Sequence, residues 1–464
     1  MNGLTTDLYH VDAAYVSWRA GLNGIATFDL YTRSHPFGGG FLLTAGLEAA
    51  IQFIQGFGYA EDDLAFLAGI KPYDPAFLAE LGRLRFTGDV LAMPEGTVAF
   101  APAPLLRVTA PFREALLLES GLLHAIGRAS LIATKAARVV LAAQGRPVTE
   151  FALRRAAEPL LVARSAAIGG CAATSYVAAA RAFALPAAGT IPHALIQLFP
   201  SEAEAFRAVA QALDPFTLLL DTYNPRRAIH SAVAVAREAS ERWRHRLAAV
   251  RLDSGDLVAD SRYVRDVLDA VGLTGVQVLV SGDLDEYRID ALLRDGAPID
   301  GFGVGTSVGV GAGSVERGIE GGALGAVYKL VWYDDHEPTT DDARIKLAGA
   351  KSTWPGVKQV YRHASYAGDL IQLASEPPPP DSAPLLVPVV RASQPVAGTL
   401  PSLSEIRRRA SLALATLPAP YRALEHPTPY PIAWSPALQA IRHRASQNPW
   451  QAPAPLPDAG TGPS

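Results

Sequence analysis

The sequence predicts an α/β fold built around a parallel sheet, and three observations support that prediction. Short apolar runs recur every 23 to 31 residues, beginning at residues 217, 248, 276 and 299. Segments with helical spacing, such as 261–273 and 286–296, lie between these runs. The runs end in polar residues and glycines, which suit the carboxyl ends of strands in ligand-binding parallel sheets. Together these features are typical of repeated strand–helix units.

Length and composition predict a globular protein with more than one structural unit. A chain of 464 residues is too long for one ordinary core, so about two or three units are expected. Hydrophobic residues make up 49% and charged residues 19%, as in well-buried globular proteins. The net charge of −4 favours neither a nucleic acid nor an anionic membrane as a partner. Any phosphate-bearing ligand must then be held by local groups.

The cysteine content and the apolar segments favour the cytoplasm. The single cysteine, Cys171, excludes disulfides within the chain, and its small neighbours predict a buried residue. The first residues show no basic segment followed by an apolar one, as a signal peptide would. No run of about 18 uncharged apolar residues predicts a membrane span. We therefore expect a cytoplasmic protein.

Outside the repeated units the pattern is mixed. Residues 42–57 have helical spacing, whereas 85–111 predicts short strands separated by Gly and Pro turns. Residues 402–417 predict a further helix. The final segment, 451–464, is rich in Pro, Gly and Ala and predicts disorder.

Polar residues at the strand ends are the candidate ligand-binding groups. The residues concerned are His193 after 187–190, Asp221 after 217–220, Arg251 and Asp253 with Asp256, Ser281 to Asp283, Gly303 to Thr306, and Lys329 in 326–331. Any single acidic strand end is also typical of a helix N-cap, a reading that remains open for Asp253 and Asp256. Arg251 lies in an apolar strand and needs an anionic partner. Several such ends in succession favour one shared site.

Two of these features have a structural alternative. The glycine run 301–309 lacks the spacing of a Walker or dinucleotide motif, although its backbone N–H groups could hold one phosphate. His193, taken alone, is more typical of a packed and hydrogen-bonded histidine than of a functional one.

In their order along the chain, several motifs resemble those of the nicotinate phosphoribosyltransferase family. They are TDLYHVDAAY (6–15), FDLYTRSHPFGGGFLLTAGLEAAIQFI (28–54), LIATKAA (131–137), FALRRA (151–156), TIPHALIQLF (190–199), DTYN (221–224), VRLDSGDL (250–257) and YKLV (328–331). The resemblance covers roughly residues 4 to 362. It implies an irregular α/β barrel of the type II phosphoribosyltransferase kind with an N-terminal α/β sandwich domain.

The resemblance also implies how the chain is divided and how it assembles. Residues 1–120 would form the sandwich domain, completed by later chain, and 121–345 the barrel. Residues 346–450 would pack on the N-terminal domain, leaving 451–464 as a tail. The family implies a homodimer with active sites at the subunit interface.

The implied reaction joins nicotinate to 5-phosphoribosyl-1-pyrophosphate, giving nicotinate mononucleotide and pyrophosphate in NAD biosynthesis. It requires Mg²⁺, and ATP hydrolysis is coupled to it through a phosphohistidine. His193 corresponds to that histidine. The positions that match the family's other site residues are Tyr9 and Phe151 on either side of the pyridine, Arg154 near the 5-phosphate, Arg251 near the nicotinate carboxylate, Asp253 at the ribose or Mg²⁺, and Gly282, Asp283, Gly303 and Gly305 around phosphate and ribose.

Substrate choice follows from one further position. Relatives that act on nicotinamide carry an aspartate where this chain has Ser175. A carboxylate there would repel nicotinate, whereas a hydroxyl can donate a hydrogen bond to it. The sequence also departs from the family, because Ala194 replaces the serine that commonly follows the histidine. Because Ala194 follows the residue that matches the phosphorylated histidine, this departure bears on the coupling to ATP and not on the transfer of the ribosyl group.

Two alternatives stay open at this stage. The first is a related transferase that acts on nicotinamide or quinolinate. The second is a catalytically silent barrel that serves as a ligand-binding subunit. Against this alternative stands the presence of four candidate site residues, His193, Arg251, Asp253 and Asp283.

Overall fold

The computed structural model describes residues 2–334, 343–347 and 352–447, and the predicted tail 451–464 lies outside these ranges. The helices are α1 Leu8–Arg19, α2 Leu47–Gln55, α3 Glu61–Ile70, α4 Pro75–Arg83, α5 Phe112–Leu117, α6 Glu119–Ala142, α7 Pro159–Ile168, α8 Val177–Phe183, α9 His193–Gln197, α10 Glu202–Ala212, α11 Pro225–Arg242, α12 Leu257–Ala270, α13 Glu286–Arg294, α14 Thr306–Val310, α15 Leu403–Thr416 and α16 Pro436–Gln447. The strands are β1 Ile25–Thr32, β2 Leu42–Leu43, β3 Asp89–Ala92, β4 Val98–Ala99, β5 Pro104–Pro111, β6 Val148–Glu150, β7 Ala173–Thr174, β8 Phe216–Leu219, β9 Leu247–Leu252, β10 Gln277–Val280, β11 Gly301–Val304, β12 Ala326–Asp334, β13 Lys358–His363, β14 Asp369–Leu373, β15 Ser382–Pro384, β16 Val387–Arg391, β17 Gln394–Pro395 and β18 Ile432–Trp434.

A six-stranded parallel sheet holds the ends of the predicted strands. Its order is β7-β6-β11-β10-β9-β8, with parallel pairing at every step. The four apolar runs predicted from the sequence form β8 to β11, and helices α11, α12 and α13 connect them. Strands and helices bury a common core that contains Leu218, Val250 and Val278. The predicted α/β fold with a parallel sheet is therefore confirmed.

A second six-stranded sheet contains the N-terminal strands. Its order is β12-β1-β5-β3-β16-β17, and the pairs within it are antiparallel. Phe28 and Leu30 of β1 point into the hydrophobic core that α2 and α6 cover. Strands β12, β16 and β17 come from later in the chain, so distant segments complete this sheet.

Two local predictions differ from the structure. Strand β12 pairs with β1 and not with the parallel sheet, so Lys329 lies away from the other strand ends. Its ammonium donates to Tyr328 O and lies 3.8 Å from Glu119. Within 42–57, Leu42 and Leu43 pair with β4, and the helix begins only after Gly46, whose φ is +96°. A left-handed glycine lets the chain turn from strand into helix there.

The C-terminal chain forms a small sheet of order β15-β13-β14-β18 and the helices α15 and α16. Helix α15 agrees with the helix predicted over 402–417, and a capping box of Ser402 and Glu405 begins it. Helix α6 packs against α2 on one side and against α7 and α13 on the other. It thereby connects the antiparallel sheet with the parallel one. A search of the described helices found none with the length and apolarity that a membrane crossing requires.

Candidate active site

A cavity of about 430 Å³ lies at the carboxyl edge of the parallel sheet. Four strands deliver side chains or glycines to it. The lining residues predicted from the sequence are Phe151 and Arg154 after β6, Arg251 and Asp253 at the end of β9, Gly282 and Asp283 after β10, and Gly303 and Gly305 in and after β11. The structure thus brings together eight of the predicted site residues, because neighbouring parallel strands end at the same edge of the sheet.

Arg251 lies at the centre of a hydrogen-bond network between strands. Its Nε donates to Ser281 Oγ at 2.7 Å and its Nη1 to Thr190 Oγ1 at 2.7 Å. Its Nη2 donates to Asp253 Oδ1 at 2.6 Å, which supplies the anionic partner that the sequence required. A guanidinium has five N–H donors, so these contacts leave donors for a ligand. The planar head is held in one orientation.

Asp253 is half-buried and tightly held. Its Oδ1 accepts from Arg251 and also from Ser281 Oγ, while Oδ2 lies 3.9 Å from His193 Nε2. Burial alone would raise the pKa of Asp253, but hydrogen bonds from Ser281 and Arg251 and the charges of Arg251 and His193 outweigh it. The pKa therefore lies below its ordinary value of 3.8, and the group is a carboxylate at neutral pH.

Phe151 presents its aromatic ring to the cavity beside Arg251. The guanidinium carbon of Arg251 lies 5.7 Å from the ring centroid, within the range of a cation–π contact. A Cβ added to Gly303 would lie 2.3 Å from the ring's Cε2, so only glycine leaves room for Phe151 there. The glycine-rich run is thus in part a strand that lets an aromatic side chain approach closely.

Gly282 brings the loop after β10 against Asp253. Its φ is +91°, and an added Cβ would lie 1.8 Å from Asp253 O. The next residue, Asp283, also has a positive φ, of 45°. This backbone is strained for residues other than glycine, which is common where a chain lines a ligand site.

His193 stands beside the cavity at the first position of the short helix α9. Its Nδ1 shares a hydrogen bond of 3.1 Å with Thr222 Oγ1. The side chain is 41% exposed, and Nε2 points towards Asp253. Thr222 therefore orients the ring so that Nε2 is accessible. The alternative of a packed core histidine does not describe this position.

Besides His193, two residues that the family resemblance assigns to the site, Tyr9 and Ser175, do not line the cavity. Tyr9 is 59% exposed on α1, and Ser175 follows β7, where its N–H donates to Glu150 O at 2.9 Å. Asp256 is the N-cap of α12 and accepts from Ala259 N at 3.0 Å. The capping interpretation therefore holds for Asp256. Cys171 is buried as predicted, and burial raises the pKa of its thiol to about 12.

Three further polar residues support the site and had no assigned role in the sequence prediction. Thr190 and Thr222 hold Arg251 and His193, respectively. Glu150 is buried at the end of β6, where it accepts from Thr174 Oγ1 at 2.5 Å and from Ala152 N. It thereby links the turn that carries Phe151 to the one before Ser175. The only sequence signal for them is their place at strand ends.

The donor set suits a metal ion only in part. Within the described chain, no group of three or more His, Cys, Asp or Glu side chains is arranged to hold one. Mg²⁺ commonly binds through one or two carboxylates together with substrate phosphates. Asp253 could supply one such carboxylate through Oδ2, the oxygen that lies 3.9 Å from His193 Nε2. Any Mg²⁺ would therefore depend on the phosphates of a ligand.

Comparison with known proteins gives the same family at both ends of the chain. Residues 4–127 match the nicotinate phosphoribosyltransferase (NAPRTase) N-terminal domain, and 381–442 match the nicotinate phosphoribosyltransferase C-terminal domain. A nicotinate phosphoribosyltransferase of Mycobacterium tuberculosis is 39% identical over 442 residues, covering 94% of this chain and 92% of the relative. The Bacillus subtilis enzyme of that name is 37% identical over 383 residues, covering 80% and 76%.

Solved structures agree with the sequence relatives. The crystal structure of human nicotinic acid phosphoribosyltransferase superposes with a TM-score of 0.81 at 30% identity, covering 95% of this chain and 99% of that one. A nicotinate-nucleotide pyrophosphorylase from Pyrococcus furiosus has the same fold, with a TM-score of 0.72 at 24% identity and coverage of 89% and 95%. The length of these matches, taken with the shared fold, establishes that the chain belongs to the nicotinate phosphoribosyltransferase family.

Proposed function

We propose that the chain transfers the 5-phosphoribosyl group from 5-phosphoribosyl-1-pyrophosphate to nicotinate, releasing pyrophosphate and nicotinate mononucleotide. The observation that carries the proposal is the oriented pair of Arg251 and Asp253 beside the Phe151 ring in the strand-end cavity. This pair offers a cation for a carboxylate, an anion for ribose hydroxyls and a flat face for a heterocycle. The family's curated members carry the name of this activity.

Nicotinate would lie on the Phe151 face with its carboxylate towards Arg251. An aromatic face suits a planar pyridine, and the guanidinium donors left free by Ser281, Thr190 and Asp253 suit a carboxylate. Ser175 belongs to this proposal as a hydroxyl that donates to the nicotinate carboxylate, although it is not among the residues that line the cavity. Preference for the acid over the amide follows from the positive charge of Arg251.

The ribosyl group would occupy the part of the cavity between Asp253 and the glycines. Backbone N–H groups near Gly282 and Gly305 are suited to phosphate oxygens, and Arg154 adds a positive charge. Transfer breaks the bond between C1 and the pyrophosphate oxygen and forms one to the pyridine nitrogen. The nitrogen supplies its own lone pair, so no strong base is needed. Alignment and electrostatics therefore supply most of the catalysis.

Mg²⁺ is part of the proposal, and Asp253 would help to hold it together with the phosphates of the substrate. When bound, it would neutralise charge on the departing pyrophosphate. Asp253 is suited to this role because its lowered pKa keeps it ionised. Arg251 and Ser281 fix its other oxygen and so fix the direction of the free one.

ATP is proposed as a co-substrate: His193 Nε2 would attack its terminal phosphorus and ADP would leave, after which water would take the phosphoryl group as orthophosphate and restore the imidazole. Exposure of the ring and its bond to Thr222 through Nδ1 support this role, since Nε2 has a lone pair for the attack in the tautomer whose Nδ1–H donates to Thr222. A phosphate on that nitrogen would place negative charge beside Asp253 and disfavour bound pyrophosphate. Phosphorylation and hydrolysis could in this way drive product release.

A homodimer in the cytoplasm completes the proposal. Tyr9 is exposed, and exposed apolar side chains lie close to the catalytic strand ends in the sequence: Val177, Leu198 and Tyr223 are 75%, 75% and 67% exposed. A contiguous patch of exposed apolar groups favours a protein interface, and the proposed dimer would cover these residues together. A second subunit that covers them could bring its own Tyr9 over the nicotinate ring, opposite Phe151.

The proposal is tested by a product assay. The purified protein is incubated with nicotinate, 5-phosphoribosyl-1-pyrophosphate and Mg²⁺, with and without ATP, and nucleotides are separated by chromatography. We expect nicotinate mononucleotide and pyrophosphate in equal amounts, formed faster with ATP. Asp253→Asn serves as the inactive control. Binding of ribosyl pyrophosphate without any nucleotide product would instead identify a silent ligand-binding barrel.

A further inference from the structure

Three charged side chains are buried together behind the cavity wall. Lys135 and Arg138 lie on one face of α6, and Glu286 is the first residue of α13. Lys135 Nζ lies 2.5 Å and Arg138 Nε 2.9 Å from the two oxygens of Glu286. The side chains are 0%, 1% and 0% exposed, respectively. We call these three residues the α6–α13 ion cluster.

The cluster is costly to bury. Two cations face one carboxylate, and burial lowers the pKa of Lys135 although Glu286 and Asp285 favour its charge. Burial would raise the pKa of Glu286, but Lys135 and Arg138 hold it below its ordinary value. Apolar residues of similar volume are often as stabilising as a buried ion cluster, or more so. A role in fixing geometry accounts for the arrangement better than stability does.

The cluster lies directly behind the chain that lines the cavity. Asp285, the N-cap of α13, lines the cavity, as do the residues from Ser281 onwards. At one end of this loop, Ser281 bonds to Arg251 and Asp253. At its other end, Glu286 is held by α6. The loop 281–285 is thus anchored at both ends.

Two sequence motifs that the proposed chemistry does not use meet the C-terminal chain at the same cluster. Lys135 Nζ lies 4.9 Å from the centroid of the Phe37 ring, and a Cβ on Gly39 would lie 2.8 Å from Arg138 Nη1. Arg138 Nη2 donates to the Tyr287 hydroxyl at 2.9 Å and to Leu424 O at 3.1 Å. The PFGGG and LIATKAA segments and the C-terminal chain therefore converge behind loop 281–285.

We propose that Lys135, Arg138 and Glu286 are positioning residues that hold loop 281–285 in the conformation that receives the ribosyl pyrophosphate. The inference rests on the proposed function for its substrate. The cluster acts through Gly282, Asp283 and Asp285, and its own atoms touch no reacting group. Its loss should weaken binding of the sugar substrate more than it slows the chemical step.

The test compares Glu286→Gln and Lys135→Met with Asp369→Asn. Glu286→Gln removes the anion at constant shape, and Lys135→Met removes one cation while the pair of Arg138 and Glu286 remains. Asp369 is the matched control, because it is a buried carboxylate that accepts from Arg362 at 2.8 and 2.7 Å in the C-terminal sheet. KM, kcat and thermal unfolding are measured for each variant.

For both cluster variants we expect the KM for ribosyl pyrophosphate to rise about tenfold or more, with a much smaller change in kcat. Amide hydrogen exchange should become faster over 281–285 in these variants. Asp369→Asn should lower the unfolding temperature without either effect. If Glu286→Gln does not fold, Lys135→Met still decides the matter.

An unchanged KM and unchanged exchange in the folded cluster variants would contradict the inference. So would an equal rise in KM for Asp369→Asn. Failure of the proposed function would be a separate result, because the unaltered protein would then form no mononucleotide. The comparison of hydrogen exchange would still test whether the cluster anchors loop 281–285.

Discussion

Arg251 is surrounded along β9 by the buried side chains of Val250 and Leu252, while its own guanidinium turns towards the cavity. The apolar run made that arginine conspicuous in the sequence and showed that it needs an anionic partner, although the pattern did not identify Asp253 as that partner. Thr190 and Ser281 could not be anticipated, because they come from segments that are adjacent to β9 only in the folded sheet. Their contacts fix the direction of the guanidinium.

Arg251→Lys should lower kcat/KM for nicotinate by about tenfold to a hundredfold. An ammonium keeps the charge but cannot reach Ser281, Thr190 and Asp253 together and still meet a carboxylate. Steady-state kinetics with varied nicotinate measures the effect. Arg237→Lys on the exposed side of α11 is the control and should change nothing. Kinetics unaltered by Arg251→Lys would remove Arg251 from the nicotinate site.

His193 illustrates a residue whose role the sequence left open between packing and chemistry. Its contacts favour chemistry, since one ring nitrogen is held by Thr222 and the other faces Asp253. His193→Ala should abolish ATP hydrolysis while some slow transfer to nicotinate continues. Phosphate release from ATP and mononucleotide formation are measured in parallel, with His230→Ala as a control on an exposed histidine. ATP turnover that survives in His193→Ala would exclude the phosphohistidine.

At the scale of elements, the positions of the strand ends could be predicted from the sequence, but the pairing of each strand within a sheet could not. Apolar runs of four to six residues ending in Asp, Ser or Gly mark β8 to β11 because the sheet is buried on both faces. The order β11-β10-β9-β8 then follows the chain. Strand β12 has a similar pattern, yet it pairs with β1, about three hundred residues earlier. Local pattern cannot distinguish these two sheets.

The approach of β11 to the turn after β6 gives a prediction of its own. Gly303→Ala should raise the KM for nicotinate about tenfold, because the added methyl group would displace the Phe151 ring. Gly127→Ala is the matched control, since a Cβ there meets no atom within 4 Å among the described residues. The prediction fails if the two variants bind nicotinate equally well.

At the scale of the whole molecule, distant parts of the chain depend on one another. Helix α6 contributes buried residues to the cores of both sheets, and later strands complete the antiparallel sheet. Such completion could not be derived from spacing, because it depends on contacts between segments hundreds of residues apart. Tyr9 is the clearest remaining case, because it is 59% exposed and its proposed role beside the pyridine depends on the proposed second subunit.

A shared active site can be tested by mixing two inactive variants. Tyr9→Ala and Asp253→Asn damage residues that would belong to different subunits at each site. Mixed dimers would contain one intact site, so unfolding and refolding an equal mixture should restore up to about a quarter of the original activity. Refolded single variants provide the baseline. Activity no higher than that baseline would place both residues within one subunit's site.

Nicotinate is the pyridine proposed for this cavity, and a comparison of three pyridine substrates tests that choice. Mononucleotide formation is measured with nicotinate, nicotinamide and quinolinate at a fixed concentration of 5-phosphoribosyl-1-pyrophosphate. We expect a kcat/KM for nicotinate about a hundredfold or more above the other two, because Arg251 would pair with a single carboxylate beside Phe151. Equal or greater kcat/KM with nicotinamide or quinolinate would contradict it.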